Sequence, residues 1–259
     1  MEIIANLSML FTELPLLQRL RAAATAGFRA VEIQFPYDVP ALQLKEELER
    51  CGLSLALINL PAGDLMQGGA GLACHPKRRQ QFADALDEAL SYALLVRPRM
   101  VNVLAGRLPE GVSRERALAT LTANLCDAAQ AFDRLQIKVL CEAINPIDMP
   151  GFLINTPEDL QELLSEAQHK NCYAQLDVYH MARQGISTAQ ALAVLGDKVA
   201  HVQFADCPGR AEPGTGEIDF AAMRQALEQA NYQGVLAAEY RPSANTEASL
   251  AWLGQPPFV

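Results

Sequence analysis

Four polar residues stand where apolar runs end, and their types suit proton transfer at carbon. They close the segments Lys138-Val-Leu-Cys-Glu142, Tyr173-Ala-Gln-Leu-Asp177, His201-Val-Gln203 and Val235-Leu-Ala-Ala-Glu239. Each follows residues that must be buried, so a charge there is desolvated unless something compensates it. Convergence on one divalent ion is the simplest compensation. Three carboxylates and an amide oxygen make an all-oxygen set, which prefers Mg2+ or Mn2+ to zinc. A cation held by Glu142, Asp177, Gln203 and Glu239 can chelate a carbonyl and its neighbouring hydroxyl, acidifying the intervening C–H through an enediolate. Glu142 and Glu239, on opposite flanks, are the expected catalytic pair, one removing a proton and the other returning it. The plainer alternative is that such acids cap loops or pair with Lys and Arg. Recurrence at four successive strand ends favours a site.

Three further residues are expected to bind substrate. His180, in Asp177-Val-Tyr-His180, follows a strand end closely enough to donate to a substrate oxygen. Arg210 lies in the long Gly- and Pro-containing loop after the seventh strand, where its guanidinium can hold a carboxylate. Arg241 and Arg107 are rival anchors. Asn6 ends the first strand and is expected on the pocket floor, with Glu32 nearby. The expected partner is thus a small anionic hydroxy-oxo acid.

Side chains at strand ends need a scaffold that gathers strand ends. Eight β-branched or apolar runs are expected as strands: 3–7, 30–35, 54–59, 100–105, 137–142, 173–177, 199–204 and 235–239. Most are nearly continuous apolar runs, as in parallel strands buried on both faces. Amphipathic segments separate them. Thr12 and Glu13 are expected to open the first helix and Gly27 to close it. Ala41–Cys51 should end at Gly52, Thr156-Pro157-Glu158-Asp159 should open another helix, and Asp219 should cap the last long one. This alternation predicts an α/β fold, a closed (β/α)8 TIM barrel in a single domain over residues 1–259. The runner-up, an open doubly wound sheet, lacks a phosphate-binding fingerprint after its first strand. Gly68-Gly69-Ala70-Gly71 reads as a mobile loop over the barrel mouth.

Composition narrows the function. The net charge of −9 disfavours nucleic acid, whose phosphates are bound by basic surfaces. No apolar run is long enough to span a bilayer, and the N-terminus lacks the basic and apolar regions of a signal peptide. The six scattered cysteines fit reduced thiols in a cytoplasmic protein. A homo-oligomer is left open.

Taken together, several motifs resemble the hydroxypyruvate isomerase family, within the xylose-isomerase-like barrels that also include sugar 3-epimerases. They are Ala5-Asn6-Leu7-Ser8-Met9, Gly27-Phe28-Arg29-Ala30-Val31-Glu32, Cys141-Glu142-Ala143-Ile144-Asn145, Leu176-Asp177-Val178-Tyr179-His180, His201-Val202-Gln203, Glu212-Pro213-Gly214-Thr215-Gly216-Glu217 and Glu239-Tyr240. The resemblance implies interconversion of hydroxypyruvate and tartronate semialdehyde, with Glu142 and Glu239 as acid and base. It carries the metal set to Glu142, Asp177, Gln203 and Glu239, although the related epimerases have histidine where Gln203 stands. A sister group isomerises 2-oxo-tetronate, one carbon longer. A metal-dependent ketose 3-epimerase is a second class, a DNA-repair endonuclease a third and a non-catalytic barrel a fourth. The endonuclease class needs more histidines than the four present and a basic surface.

Overall fold

The computed structural model describes residues 1–258. In chain order it contains β1 (Ile3–Asn6), α1 (Leu16–Thr25), β2 (Ala30–Ile33), α2 (Ala41–Cys51), β3 (Ser54–Asn59), α3 (Arg79–Val96), β4 (Met100–Asn102), α4 (Arg114–Asp133), β5 (Lys138–Glu142), α5 (Pro157–Ala167), β6 (Cys172–Asp177), α6 (Val178–Ala182), α7 (Thr188–Leu195), β7 (Val199–Phe204), α8 (Phe220–Gln229), β8 (Leu236–Ala238) and α9 (Thr246–Ser249). The strands are parallel and pair in sequence order, and β8 closes the ring against β1. The chain is a (β/α)8 barrel.

Inward-facing residues alternate along the strands. Ile4, Leu57, Met100, Leu140 and Ala237 come from strands all around the ring yet form one apolar cluster, so they fill the barrel interior. Two residues onward on each strand stand Asn6, Asn59, Asn102, Glu142 and Glu239, all buried. The same period adds Gln175 and Gln203, so an apolar layer plugs the barrel and a polar layer lies above it. The register shifts beside Glu32 and Gln175 leave Ala56 in β3 and Ala200 in β7 as the extra, unpaired residues. The larger apolar core lies between sheet and helices.

Most helix ends follow local chemistry. α2 spans the expected residues and stops at Gly52 in the left-handed region, φ 66°. Thr156 and Asp159 form a reciprocal capping box around Pro157, and Asp219 accepts from Ala222 N–H. The opening of α1 corrects the expectation at Thr12. A helix capped by Thr12 would ask residue 15 for its N–H, and Pro15 has none; the helix starts at Leu16 instead. Several strands are shorter than expected, β4 ending at Asn102 and β8 at Ala238. Just beyond those ends Leu104 and Glu239 line the mouth.

Candidate active site

A cavity of about 460 Å³ opens at the C-terminal ends of the strands. Its polar wall includes Glu142, Gln175, His180, Gln203, Arg210 and Glu239, and its outer wall includes Phe35, Met66, Leu104 and Met149. Both expected catalytic glutamates therefore face one cavity.

Each glutamate is held from one side. Glu142 Oε2 accepts from Gln175 Nε2 at 2.9 Å and Asn102 Nδ2 at 3.2 Å. Its Oε1 lies 3.9 Å from His180 Nε2. Glu239 Oε1 accepts from Gln34 Nε2 at 2.7 Å and Arg210 Nη2 at 3.0 Å. Burial pushes the Glu142 carboxyl up to about 8, and neighbouring Asp177 adds to the rise. Burial also holds Glu239 well above the usual carboxylate range, against the pull of Arg210. Burial thus favours the protonated form of each carboxyl, the form in which one member of an acid/base pair acts as the acid.

Asp177 links two elements. Its Oδ1 accepts from Tyr179 N–H at 2.8 Å and caps α6. Its Oδ2 lies 3.4 Å from Arg210 Nη2 and 3.5 Å from His180 Nε2. Arg210 therefore bridges Asp177 and Glu239, with its guanidinium carbon 5.0 Å from the Tyr179 ring centroid. Burial alone would lower the Arg210 pKa, but Glu239, Asp177 and Glu142 outweigh it and raise it. Arg210 Nε is buried without a protein partner.

The loop carrying Arg210 is organised by Asp206, which the sequence reading missed. Asp206 Oδ1 accepts from Cys207 and Ile218 N–H, and Oδ2 from Gly214 and Gly216 N–H. A Cβ on Gly216 would sit 2.1 Å from Cys207 O. Arg210 itself is left-handed at φ 54°, and its carbonyl accepts from Arg241 N–H. Gln34, Gln175 and Asn145 also went unnoticed as site residues. Amides carry no charge signal, although period-two alternation in β6 could have found Gln175.

Other expected residues lie elsewhere. Asn6 was expected on the pocket floor. It is fully buried, its Nδ2 donating to Glu32 Oε1 at 2.7 Å, and it lies among the buried partners of Glu32, off the cavity wall. Glu32 also receives Gln203 Nε2 at 2.8 Å and pairs with His201 Nε2 at 2.6 Å. Arg107 reaches the cavity, but its side chain is committed to the carbonyls of Leu65, Gly69 and Pro150. Those bonds, with Asp64 accepting from Gly71 N–H, tie down the glycine loop that was expected to be mobile.

The donor set bears on the expected Mg2+ or Mn2+. Glu142, Asp177 and His180 offer ligand atoms within 4.8 Å of one another, a cluster able to hold a metal. The expected four-oxygen set is arranged differently. Gln203 Oε1 takes the Gln175 amide at 2.6 Å while its Nε2 donates to Glu32, so the amide is engaged at both ends. The Arg210 guanidinium stands against both Asp177 and Glu239, as a shared cation would. The four residues so arranged do not fit a hard divalent ion; the positive charge among them is Arg210.

Residues 20–255 match the xylose isomerase-like TIM barrel family. The chain is 40% identical over 249 residues to a hydroxypyruvate isomerase of Escherichia coli (strain K12), covering 96% of both chains. It is 38% identical over 249 residues to a 2-oxo-tetronate isomerase of Cupriavidus necator, again covering 96% of both. The solved structure described as an AP endonuclease, family 2, from Brucella melitensis superposes with a TM-score of 0.93 at 36% identity, covering 97% of each chain.

Proposed function

The chain belongs to the xylose isomerase-like TIM barrel family, and as an isomerase of that family we propose that it interconverts hydroxypyruvate and tartronate semialdehyde through an enediolate. The observation that carries this reading is the pair of buried carboxylates, Glu142 and Glu239, facing one cavity with the Arg210 cation.

One carboxylate removes a proton from C3 of hydroxypyruvate, and the electron pair moves into a C2–C3 double bond as the C2 carbonyl oxygen becomes anionic. The other carboxylate protonates C2. The C3 hydroxyl loses its proton to become the aldehyde, and the C2 oxygen gains one to become a hydroxyl. Arg210, on the cavity wall, is positioned for the charge that develops on oxygen. Arg241, exposed at the mouth, is a second cation for the substrate carboxylate. His180 is the neutral donor; burial holds its pKa below the ordinary value, with Asp177 opposing.

On this reading no divalent ion is needed, because Arg210 supplies the charge. Turnover of hydroxypyruvate by purified protein should survive extensive chelation, whereas loss of activity restored by Mg2+ or Mn2+ would overturn it. The cavity is wider than a three-carbon acid requires, which favours 2-oxo-tetronate as the second reading. The ratio of kcat/KM for the two acids decides between them. A ketose 3-epimerase has less need of an arginine in the site, and an endonuclease suits neither the net charge of −9 nor a cavity lined by His180 as its one imidazole. The six free cysteines support a reducing, cytoplasmic setting.

A further inference from the structure

His180, in the cavity wall, and Asn145, behind it, form a buried pair, Asn145 fully buried and His180 3% exposed. Asn145 Nδ2 lies 2.6 Å from His180 Nδ1. The orientation of that amide is set independently, because Asn145 Oδ1 accepts backbone N–H groups from Ile147 at 3.1 Å and Asp148 at 2.8 Å. Flipping the amide would turn its NH2 against two donors. Nδ2 also reaches Asp148 Oδ2 at 3.2 Å. His180 Nδ1 thus faces a donor and must accept, which leaves the proton of a neutral ring on Nε2. Nε2 looks toward Asp177 Oδ2 at 3.5 Å and Glu142 Oε1 at 3.9 Å, and two acidic oxygens suit an N–H there.

We propose that Asn145 is a positioning residue that locks His180 as the Nε2–H tautomer, so that His180 serves the cavity as a hydrogen-bond donor and is disqualified as a metal ligand. A metal on Nε2 would require the proton on Nδ1, where it would meet the Asn145 NH2. Metal-bound histidines ordinarily donate that second N–H to an acceptor. The Glu142–Asp177–His180 cluster is therefore wired for an oxygen of the substrate.

Nitrogen-15 NMR of histidine-labelled protein at pH 8, with His180 assigned by its loss in His180→Gln, tests the tautomer directly. Nδ1 should resonate as an unprotonated ring nitrogen and Nε2 as a protonated one. The reverse pattern overturns the proposal. Asn145→Asp keeps both backbone bonds but presents an acceptor to Nδ1, so Nδ1 should become protonated. That variant should bind Zn2+ about 10-fold or more tighter than wild type, and His180→Gln added to it should abolish the gain. No change in Nδ1 protonation in Asn145→Asp would also overturn the proposal. The kinetic arm rests on the isomerase reading. In Asn145→Asp, kcat should fall about 10²-fold with less change in KM. The spectroscopic and metal arms stand whether or not hydroxypyruvate is the substrate.

Discussion

Glu142→Gln should cripple the enzyme and stabilise the fold, and the stabilisation should depend on pH. Burial raises the Glu142 carboxyl from an ordinary 4.5 to about 8. Because the folded-state pKa is the higher one, the fold favours the proton. The contribution is fully present at low pH and is lost as pH rises from 4.5 through about 8. Between those limits the unfolded chain releases a proton that the folded one keeps, a penalty of about 1.4 kcal/mol per pH unit. It amounts to about 1 kcal/mol at pH 5 and about 3 kcal/mol at pH 7. Glutamine does not ionise, and its oxygen can still accept from Gln175 and Asn102. Removing the Glu142 charge also relaxes Glu239, whose pKa it helps to raise. The variant should therefore gain about 2–3 kcal/mol over wild type between pH 5 and pH 7, or roughly 5–10 °C in Tm for a chain of this size. Turnover should drop about 10²–10⁴-fold. Thermal and urea unfolding at pH 5, 6, 7 and 8, beside hydroxypyruvate kinetics, measure both. A difference in stability that stays flat across that range would mean that Glu142 ionises like an ordinary carboxylate, and the acid/base argument would lose its basis.

Arg210→Ala removes the cation between Asp177 and Glu239, and kcat/KM should fall about 10²–10³-fold while the circular dichroism spectrum is kept; a loss under threefold would move the role to Arg241. Gly216→Ala drives a Cβ into Cys207 O and against Asp206, so it should raise KM through the Arg210 loop and move Tm by only a few degrees; unchanged KM would show that the loop tolerates displacement. Trp252 packs edge-on against Phe204, Tyr240 and Phe258 beneath the C-terminal tail, and Trp252→Ala should cost about 3–5 kcal/mol in urea unfolding with the catalytic constants of the surviving folded protein preserved.

Strand number, the limits of α2, the capping box at Thr156 and the Asp219 cap were all readable in the sequence. So was the presence of Glu142, Asp177, Gln203 and Glu239 at strand ends. These features depend on hydrophobic period and on side chains bonding to backbone within a few residues, and both are local. Pro15 shows how narrow that window is, since one missing N–H moved the start of α1. The tertiary structure decided which polar groups meet. Arg210 reaches Asp177, 33 residues away, and Glu239, 29 away, because Asp206 gathers four backbone N–H groups and turns the loop inward. Asn6 joins Glu32, and Gln175 joins Glu142, because the parallel registers of β1 with β2 and of β5 with β6 set them side by side. A one-residue shift reverses the face of every following side chain while hardly altering the hydrophobic pattern. That is why the sequence could supply the carboxylates, while the cation beside them and the amides that orient them were fixed only once the ring closed.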